Sequence, residues 1–278
     1  MKLKKLFALS AAAIMAVTAL AGCGNTAIPE EADNAAATQA VESDLAYIQD
    51  KGTMVIGYTI MEPLNYTDDA GDFVGFETEF ASAVCEKLGV EPKFQLIDWD
   101  AKESELSSKT IDCIWNGMTI TDERKANMSI TKPYLANRQA LVVRKDDVEK
   151  YTASLDGANV VVEAESAGDE LANEDQVFAN TTITAVDAQA TALMDVKAGT
   201  SDVAVIDFVM AGGSIREGSS YEDLAIIDLN FPSEEYGAAF RKGSDVTAEV
   251  NKAIDELIAD GTLDQIAEKY GLADILIK

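Results

Sequence analysis

Apolar runs that favour strands alternate with helical segments along most of this chain, and no other feature of the sequence limits the fold as much. In the first half, the spacing of apolar residues predicts strands over 53–60, 92–97 and 111–115, separated by helices over 77–88 and 102–108. The resulting order is β-α-β-α-β, which is typical of an α/β layer fold with a largely parallel sheet. The first half is therefore expected to form one layered unit.

A second unit with the same rhythm follows. Strands are predicted over 160–162, 182–186 and 203–206, with one helix starting at 168 and another over 190–197. Because the two units share this order of elements, we expect two similar lobes and not a repeat array.

The carboxyl ends of two predicted strands carry polar residues at matching places. In the first unit a helix is followed by Asp112, an apolar strand and Asn116; in the second a helix is followed by Asp202, an apolar strand and Asp207. Ligands of open α/β sheets bind in the crevice beyond such strand ends. The alternative is that Asn116 and Asp207 only cap loops. Their matched positions favour a ligand cleft between the lobes.

The last part of the sequence returns to helix. Apolar residues lie on one face over 247–259, which Gly261 ends, and a final helix over 263–270 ends at Gly271. Two helices without strands between them are expected to cover the first lobe.

The N-terminus has the pattern of an export signal. Lys2, Lys4 and Lys5 precede an apolar stretch over residues 6–20. That stretch is shorter than the roughly 20 residues of a membrane-spanning helix.

A cysteine follows the signal directly. The order Leu20-Ala21-Gly22-Cys23 resembles a bacterial lipoprotein signal, which implies cleavage of residues 1–22, diacylglycerol on Cys23 and fatty-acyl groups such as palmitate. The alternative is an ordinary secretory signal with an incidental cysteine. Residues 23–44 lack aromatic side chains and are rich in Ala, Glu, Asp, Asn and Thr, so they are expected to be a disordered tether. The interpretation is a cell-membrane protein, lipid-anchored on the extracytoplasmic face.

Composition excludes several classes of function. The formal net charge is −27, and loss of the three signal lysines makes it −30, which disfavours nucleic acids and anionic lipids as partners. The chain has no histidine, so Ser-His-Asp and Cys-His catalysis and histidine zinc sites are excluded. Cys85 and Cys113 lie in apolar runs without metal-ligand spacing, and we expect two buried thiols. No cofactor and no metal are expected.

Several short stretches together resemble one family, the polar-amino-acid branch of extracytoplasmic solute-binding proteins that serve ABC importers. The matching stretches are 74–77 (VGFE), 111–124 (IDCIWNGMTITDER), 132–134 (KPY), 155–157 (LDG), 201–207 (SDVAVID), 236–243 (YGAAFRKG) and 260–263 (DGTL). Each is weak alone, but their order and spacing are specific, and the resemblance covers about residues 51–270.

The resemblance implies a type II periplasmic-binding-protein fold. Each lobe would be a mixed, mostly parallel sheet flanked by helices, and a two-strand hinge would join the lobes. Lobe 1 would comprise 45–138 and 233–278, and lobe 2 would comprise 139–232. The protein would be a monomer that binds a polar amino acid with high affinity and delivers it to an ABC permease with its ATPase.

The stretch around residue 120 also has a physical interpretation of its own. Thr121 is expected to begin a helix with Asp122 and Glu123 in its first turn, where the helix dipole favours acidic residues. The N–H groups of the preceding loop then suit an anion, and Arg124 can add a planar fork that matches a carboxylate. The alternative for Arg124 is a solvated surface side chain.

The resemblance assigns further roles in the site. It implies that Gly117, Thr119 and Arg124 hold the α-carboxylate of the ligand, next to Asn116. The remaining implied contacts are Asp207 for the α-ammonium, Ser166 for the carboxylate from the second lobe, and Trp99 as a wall along the ligand side chain. The alternative for Trp99 is a core position, since it alternates with Ile97 as strand residues do.

The sequence departs from the family pattern in two places. Thr59 replaces the aspartate that reads cationic side chains, and Tyr58 and Glu62 are the candidates for reshaping that wall. In the second lobe Glu165 replaces a glycine, and Glu163 stands where relatives place a residue that senses the side chain. We therefore expect a neutral polar ligand, glutamine- or cystine-like, with a cationic amino acid as the second choice.

Two other functions remain open. A cyclohexadienyl-dehydratase-like enzyme of the same fold would need an acid or base aimed at a substrate carbon, for which only Glu62 or Glu163 could serve. A sensor module would carry a membrane span after the lobes, and none follows up to Lys278. The sequence therefore favours a transport receptor and not an enzyme.

Overall fold

A computed structural model describes residues 43–278, and Cys23 with the predicted signal and most of the tether lies outside this part. The strands in chain order are β1 (Thr53–Tyr58), β2 (Tyr66–Thr67), β3 (Phe73–Val74), β4 (Glu91–Leu96), β5 (Cys113–Ile114), β6 (Met128–Ile130), β7 (Leu135–Asn137), β8 (Gln139–Arg144), β9 (Asn159–Glu163), β10 (Thr182–Val186), β11 (Val203–Asp207), β12 (Leu224–Ile227), β13 (Glu234–Tyr236) and β14 (Ala239–Arg241).

The helices occupy the connections between these strands. They are α1 (Asp44–Lys51), α2 (Phe76–Leu88), α3 (Lys102–Ser107), α4 (Asp122–Asn127), α5 (Val148–Ala153), α6 (Ala167–Glu174), α7 (Gln189–Ala198), α8 (Phe208–Ser214), α9 (Val246–Ala259) and α10 (Thr262–Lys269). Within residues 43–278, none of these helices combines the length and the apolar character that crossing a membrane requires.

Two five-stranded mixed sheets define two lobes. The sheet of lobe 1 has the order β4-β1-β5-β14-β6, in which β1 runs parallel to β4 and β5, and β14 is antiparallel to its neighbours. The sheet of lobe 2 has the order β10-β9-β11-β8-β12, with β9 parallel to β10 and β11, and β8 antiparallel to β11 and β12. The predicted α/β fold with two similar lobes is confirmed.

The chain crosses between the lobes twice, and the two crossings pair with each other. Strand β7 leads from lobe 1 to lobe 2, β13 leads back, and the two form an antiparallel ribbon in which Asn137 lies opposite Glu234 and Leu135 lies opposite Tyr236. This ribbon is the predicted two-strand hinge.

Helices α9 and α10 pack on lobe 1, as the sequence predicted. Helix α9 contacts α2 and β14, and α10 contacts α9 and α2. Beneath α2, the rings of Phe80, Trp115 and Tyr134 form an edge-to-face group with centroid distances of 5.1 Å (Phe80–Trp115) and 5.2 Å (Phe80–Tyr134). This apolar layer supports the loop after β5, which carries much of the site.

Glycine is required where α2 begins. Gly75 has φ 134°, and a Cβ atom there would lie 2.0 Å from the carbonyl oxygen of Leu64. Only glycine fits so close an approach of two backbone segments. The loop after β1 is thereby held against the start of α2.

Both cysteines of the described region are free and buried, as predicted. The Cys85 thiol lies 4.0 Å from the sulfur of Met54, and burial raises the pKa of Cys85 to about 12. Burial also raises the pKa of Cys113 well above its usual value. Thiols that stay protonated at neutral pH are poor nucleophiles, so they serve as small apolar core groups.

Candidate functional site

Most of the predicted site residues line one small, nearly closed cavity between the lobes, with a volume of about 10 Å³. Lobe 1 and lobe 2 both contribute to it. The lining residues are Met61, Trp99, Asn116, Gly117, Thr119, Arg124, Glu163, Ser166, Ala167, Gln189 and Asp207. The prediction missed Met61, Ala167 and Gln189.

The loop after β5 is tied to its own lobe. The Asn116 side chain accepts from the N–H of Thr59 (2.9 Å) and its hydroxyl (2.7 Å), and donates to the Thr59 carbonyl (2.8 Å) and to Asn65 Oδ1 (2.8 Å). These four bonds use the whole hydrogen-bonding capacity of an amide side chain. Asn116 therefore shapes the cavity wall by holding the loop, and Thr59 is buried in the same cluster.

The N–H group of Gly117 is also engaged. It donates to Glu77 Oε2 at 2.8 Å, while the hydroxyl of Tyr134 donates to Glu77 Oε1 at 2.5 Å. Gly117 has φ 55°, and a Cβ atom there would approach the Met61 side chain to 2.9 Å. A buried carboxyl group thus fixes the loop at a position where a side chain other than that of glycine would be strained.

Arg124 reaches across the cleft. The Thr121 hydroxyl caps α4 by accepting from the Arg124 N–H at 3.1 Å, as predicted, and this places the guanidinium over the loop. Nη1 donates to the Thr119 carbonyl at 2.9 Å, and Nη2 donates to Glu170 Oε1 at 2.9 Å and to the Glu165 carbonyl at 3.3 Å. Arg124 is only 4% exposed, so it is not a solvated surface residue.

A second cation also bridges the lobes. Lys102, which is 3% exposed, donates to the Glu165 carbonyl at 3.2 Å and lies 5.0 Å from the centroid of the Trp99 ring. Burial and the charge of Arg124 lower the pKa of Lys102. Glu165 itself has φ 55°, a strained value for a side chain other than glycine. Its carbonyl is therefore a backbone acceptor for two lobe 1 cations.

Asp207 sits at the carboxyl end of β11, among amide side chains. Its carboxylate accepts from Asn137, Gln139 (3.0 Å) and Gln189, and its own N–H donates to Gln189 Oε1 at 3.0 Å. Burial raises the pKa of Asp207, although these hydrogen bonds oppose the shift. The result is a carboxyl group held rigidly at the lobe 2 wall.

Two other lobe 2 groups face the cavity. The Ser166 hydroxyl caps α6 by accepting from the Asp169 N–H at 3.1 Å. Glu163 is 2% exposed, and its Oε1 has no hydrogen-bond partner among residues 43–278. Burial and the nearby charge of Asp207 raise the pKa of Glu163 to about 8, so at pH 7 it is mostly a neutral carboxylic acid.

Two predicted residues lie away from the cavity. Tyr58 packs in an aromatic group with Phe73 (4.7 Å between centroids) and Phe94 (6.3 Å). Glu62 pairs with Arg216 of lobe 2 at 2.6 Å, on the hinge side. Met61, which directly precedes Glu62 in the loop after β1, lines the cavity instead.

Trp99 is buried at the cavity wall, but it does not continue β4. It begins a short 3-10 turn, Trp99–Ala101. Its side chain belongs to the same buried core cluster as Ile97 and also lines the cavity, so the core and the wall interpretations both apply.

Ligand-free protein is expected to lose stability between pH 5.5 and pH 8. Burial raises the pKa of Glu77 to about 7, of Glu163 to about 8 and of Glu234 to about 7. The folded state then binds more protons than the unfolded state in this range, so the free energy of unfolding falls as pH rises, by roughly 2 kcal/mol for one such group.

Urea unfolding at the two pH values measures this change. Glu163→Gln, which cannot ionise, is expected to show a smaller fall than the wild type. A free energy of unfolding that stays constant or rises toward pH 8 would contradict these protonation states.

The fold and the cavity between the lobes define a class, the two-lobed binding proteins, and the comparisons identify the family. The sequence model of the bacterial extracellular solute-binding proteins, family 3, matches residues 54–273. The chain belongs to this family.

Named relatives share most of the chain. The L-cystine-binding protein TcyJ of Escherichia coli K12 is 31% identical over 275 residues, which cover 98% of this chain and 99% of that protein. The lysine/arginine/ornithine-binding periplasmic protein of E. coli K12 is 30% identical over 219 residues, covering 76% and 84%. A substrate-binding protein of an ABC uptake transporter from Streptococcus pneumoniae, solved with bound histidine, has a TM-score of 0.79 at 27% identity, covering 85% and 99%.

Proposed function

We propose that this protein binds a polar amino acid between its lobes and delivers it to an ABC importer. The observation that supports this most is the facing of Arg124 in lobe 1 and Asp207 in lobe 2 across one small cavity. A cation and an anion on opposite walls match the carboxylate and ammonium of a zwitterion. The relatives named for cystine and for cationic amino acids support the same ligand class.

Each end of the zwitterion has a proposed set of contacts. The ligand carboxylate would take the place of Glu170 on Arg124 and meet Ser166 and Thr119, since a planar guanidinium binds carboxylates with two donors. The ammonium would donate to the carboxylate of Asp207. Because the two ends bind different lobes, the ligand stabilises the closed state by its differential affinity for it.

The position of the hinge defines which residues would move together when the cleft closes. Residues 45–138 with 233–278 would act as one body and 139–232 as the other, each as a rigid lobe of a monomer. Closure about β7 and β13 would present both lobes together to the permease and its ATPase. Interlobe pairs such as Glu62–Arg216 form part of the closed surface.

The ligand is expected to be neutral and polar, as glutamine and cystine are, with arginine as the second choice. Glu163 supports this order, because a neutral carboxylic acid can both donate to and accept from an amide. A thermal-shift screen of the twenty amino acids and L-cystine tests this order of ligand preference. At a thousand times its dissociation constant a ligand adds about 4 kcal/mol of stability. Nanomolar arginine binding without glutamine or cystine binding would reverse the order.

Membrane attachment through Cys23 is proposed from the lipoprotein-like signal. Cys23→Ser is expected to move the protein from the membrane pellet to the soluble fraction, because a serine cannot carry the thioether-linked lipid. Fractionation without detergent measures this change, with wild type as the control. Unchanged pelleting of the variant would contradict the anchor.

One observation favours a second function, a cyclohexadienyl-dehydratase-like activity. Glu163 is protonated near neutral pH, has an unpartnered oxygen among the described residues and lines the cavity, which are properties of a general acid. Glu62, the other candidate, is instead paired with Arg216 outside the cavity. Incubation with prephenate and L-arogenate tests the enzyme, and we expect no turnover.

A further inference from the structure

Glu234 lies in hinge strand β13 and is not among the site residues predicted from the sequence. Its Oε2 accepts from the Thr119 hydroxyl at 3.0 Å, from Asn137 Nδ2 at 3.2 Å and from Gln139 Nε2 at 3.1 Å. These donors belong to lobe 1, to the other hinge strand and to the start of lobe 2. One carboxylate oxygen therefore connects three parts of the molecule that move relative to one another when the cleft closes.

Two of those donors are shared with Asp207. The same Nδ2 of Asn137 and the same Nε2 of Gln139 also donate to Asp207 Oδ1. The two carboxyl groups thus meet across a pair of amides, with no lysine or arginine hydrogen-bonded to either one among residues 43–278. Such an arrangement of like charges is stable only if a proton or an external cation is present.

We propose that Glu234 and Asp207 form a single carboxylate pair that recognises the ligand's ammonium, with Asp207 in contact with it and Glu234 as a positioning residue in the hinge. This rests on the proposed function. Glu234 orients the amides that hold Asp207 and the hydroxyl of Thr119, so it connects both ends of the bound zwitterion to the hinge.

The surrounding charges determine the proton balance of the pair. Tyr236 from β13, Glu77 from α2 and Glu163 from β9 face it, and all three are neutral or acidic. The buried cations Lys102 and Arg124 are engaged with the Glu165 carbonyl and with Glu170, respectively.

The ligand-free pair therefore retains a proton near neutral pH. Burial and the charge of Asp207 raise the pKa of Glu234 to about 7, in agreement with the geometry. An ammonium on Asp207 favours ionisation of both carboxyl groups, so binding releases that proton to solvent. Affinity should then increase with pH up to about pH 7 and level off above it, by at most about tenfold per pH unit for one proton.

The test compares Glu234→Gln with Glu235→Gln, its exposed neighbour in the same strand. Calorimetry at pH 5.5, 6.5 and 7.5, in two buffers of different ionisation enthalpy, gives affinity and protons released. The probe is whichever of L-glutamine, L-cystine and L-arginine gives the largest thermal shift. Wild type and Glu235→Gln should release up to one proton at pH 6.5. Glu234→Gln should release markedly less, and its affinity deficit should grow to about tenfold between pH 5.5 and 7.5.

A further variant, Asp207→Asn, distinguishes failure of the pair proposal from failure of the proposed function. It should lose binding at every pH. If Glu234→Gln releases protons as the wild type does while Asp207→Asn fails to bind, the proposed role of Glu234 is contradicted and the proposed function stands. If Asp207→Asn binds normally, the proposed binding site is wrong, and the proposed role of Glu234 is contradicted as well.

Discussion

Asp207→Asn and Arg124→Ala are each expected to weaken amino-acid binding by roughly 30- to 5,000-fold, which is the effect of removing one partner of a buried charge pair (about 2–5 kcal/mol). Both side chains are about 5% exposed and face one cavity from opposite lobes. Arg124→Lys should also fail substantially, because an ammonium lacks the planar fork that binds a carboxylate with two donors. Titration calorimetry with the amino acid selected by thermal shift measures these changes.

The control for Arg124 is Lys125→Ala, an exposed residue in the same helix. Asp207 is held by three amide side chains, so its replacement can lower stability as well as affinity, and circular dichroism must show that the variant is folded. Affinities within threefold of the wild type in both folded variants would contradict the proposed site.

Gly213→Val is expected to weaken binding more than tenfold without touching the ligand site. Gly213 lies in α8 of lobe 2, and a Cβ atom there would approach Pro63 Cδ to 2.6 Å and the Glu62 carbonyl oxygen to 2.8 Å, both in lobe 1. Contacts this short force the lobes apart, because the backbone oxygen cannot move aside as a flexible side chain can. The variant should fold normally in its open state and resist closure.

The chain offers a matched control in the adjacent residue. A Cβ atom at Gly212 meets no atom within 4 Å among the described residues, so Gly212→Val should bind nearly as well as the wild type. The two variants make the same chemical change in the same helix and differ only in the interlobe contact. Equal affinities for Gly212→Val and Gly213→Val would show that this contact does not limit closure.

Local patterns predicted the elements that the site is built on. The Thr121 cap and the acidic first turn of α4 are short-range signals that the structure reproduces. Strand β10 also has the predicted bounds. Helix-capping signals and hydrophobic periodicity were therefore sufficient to predict the fold class.

Hydrogen-bond partners across the fold could not be predicted in this way. The sequence suggested that Asn116 and Gly117 present polar groups to a ligand, whereas Thr59, Asn65 and Glu77 take up those groups within lobe 1. Glu77 is 57 residues from its partner Tyr134, and no short-range pattern reports such a pairing.

In the loop after β1 and in the hinge, too, local sequence patterns did not predict which residues contact the site. In the loop after β1, Met61 lines the cavity and Tyr58 and Glu62 do not, and the close approach of Gly75 to this loop is a long-range contact that no local pattern reports. Glu234 enters the site network only because β13 pairs with β7. Its single signal in the sequence is an acidic residue within a predicted crossing between lobes, which is too common to be specific.

Ligand-induced closure is the central claim, and small-angle X-ray scattering tests it most directly. The radius of gyration should decrease when wild-type protein is saturated with the amino acid selected by thermal shift. It should remain at the ligand-free value for Asp207→Asn and for Gly213→Val, while Gly212→Val should compact as the wild type does. A wild-type radius of gyration that is the same with and without bound amino acid would contradict the account.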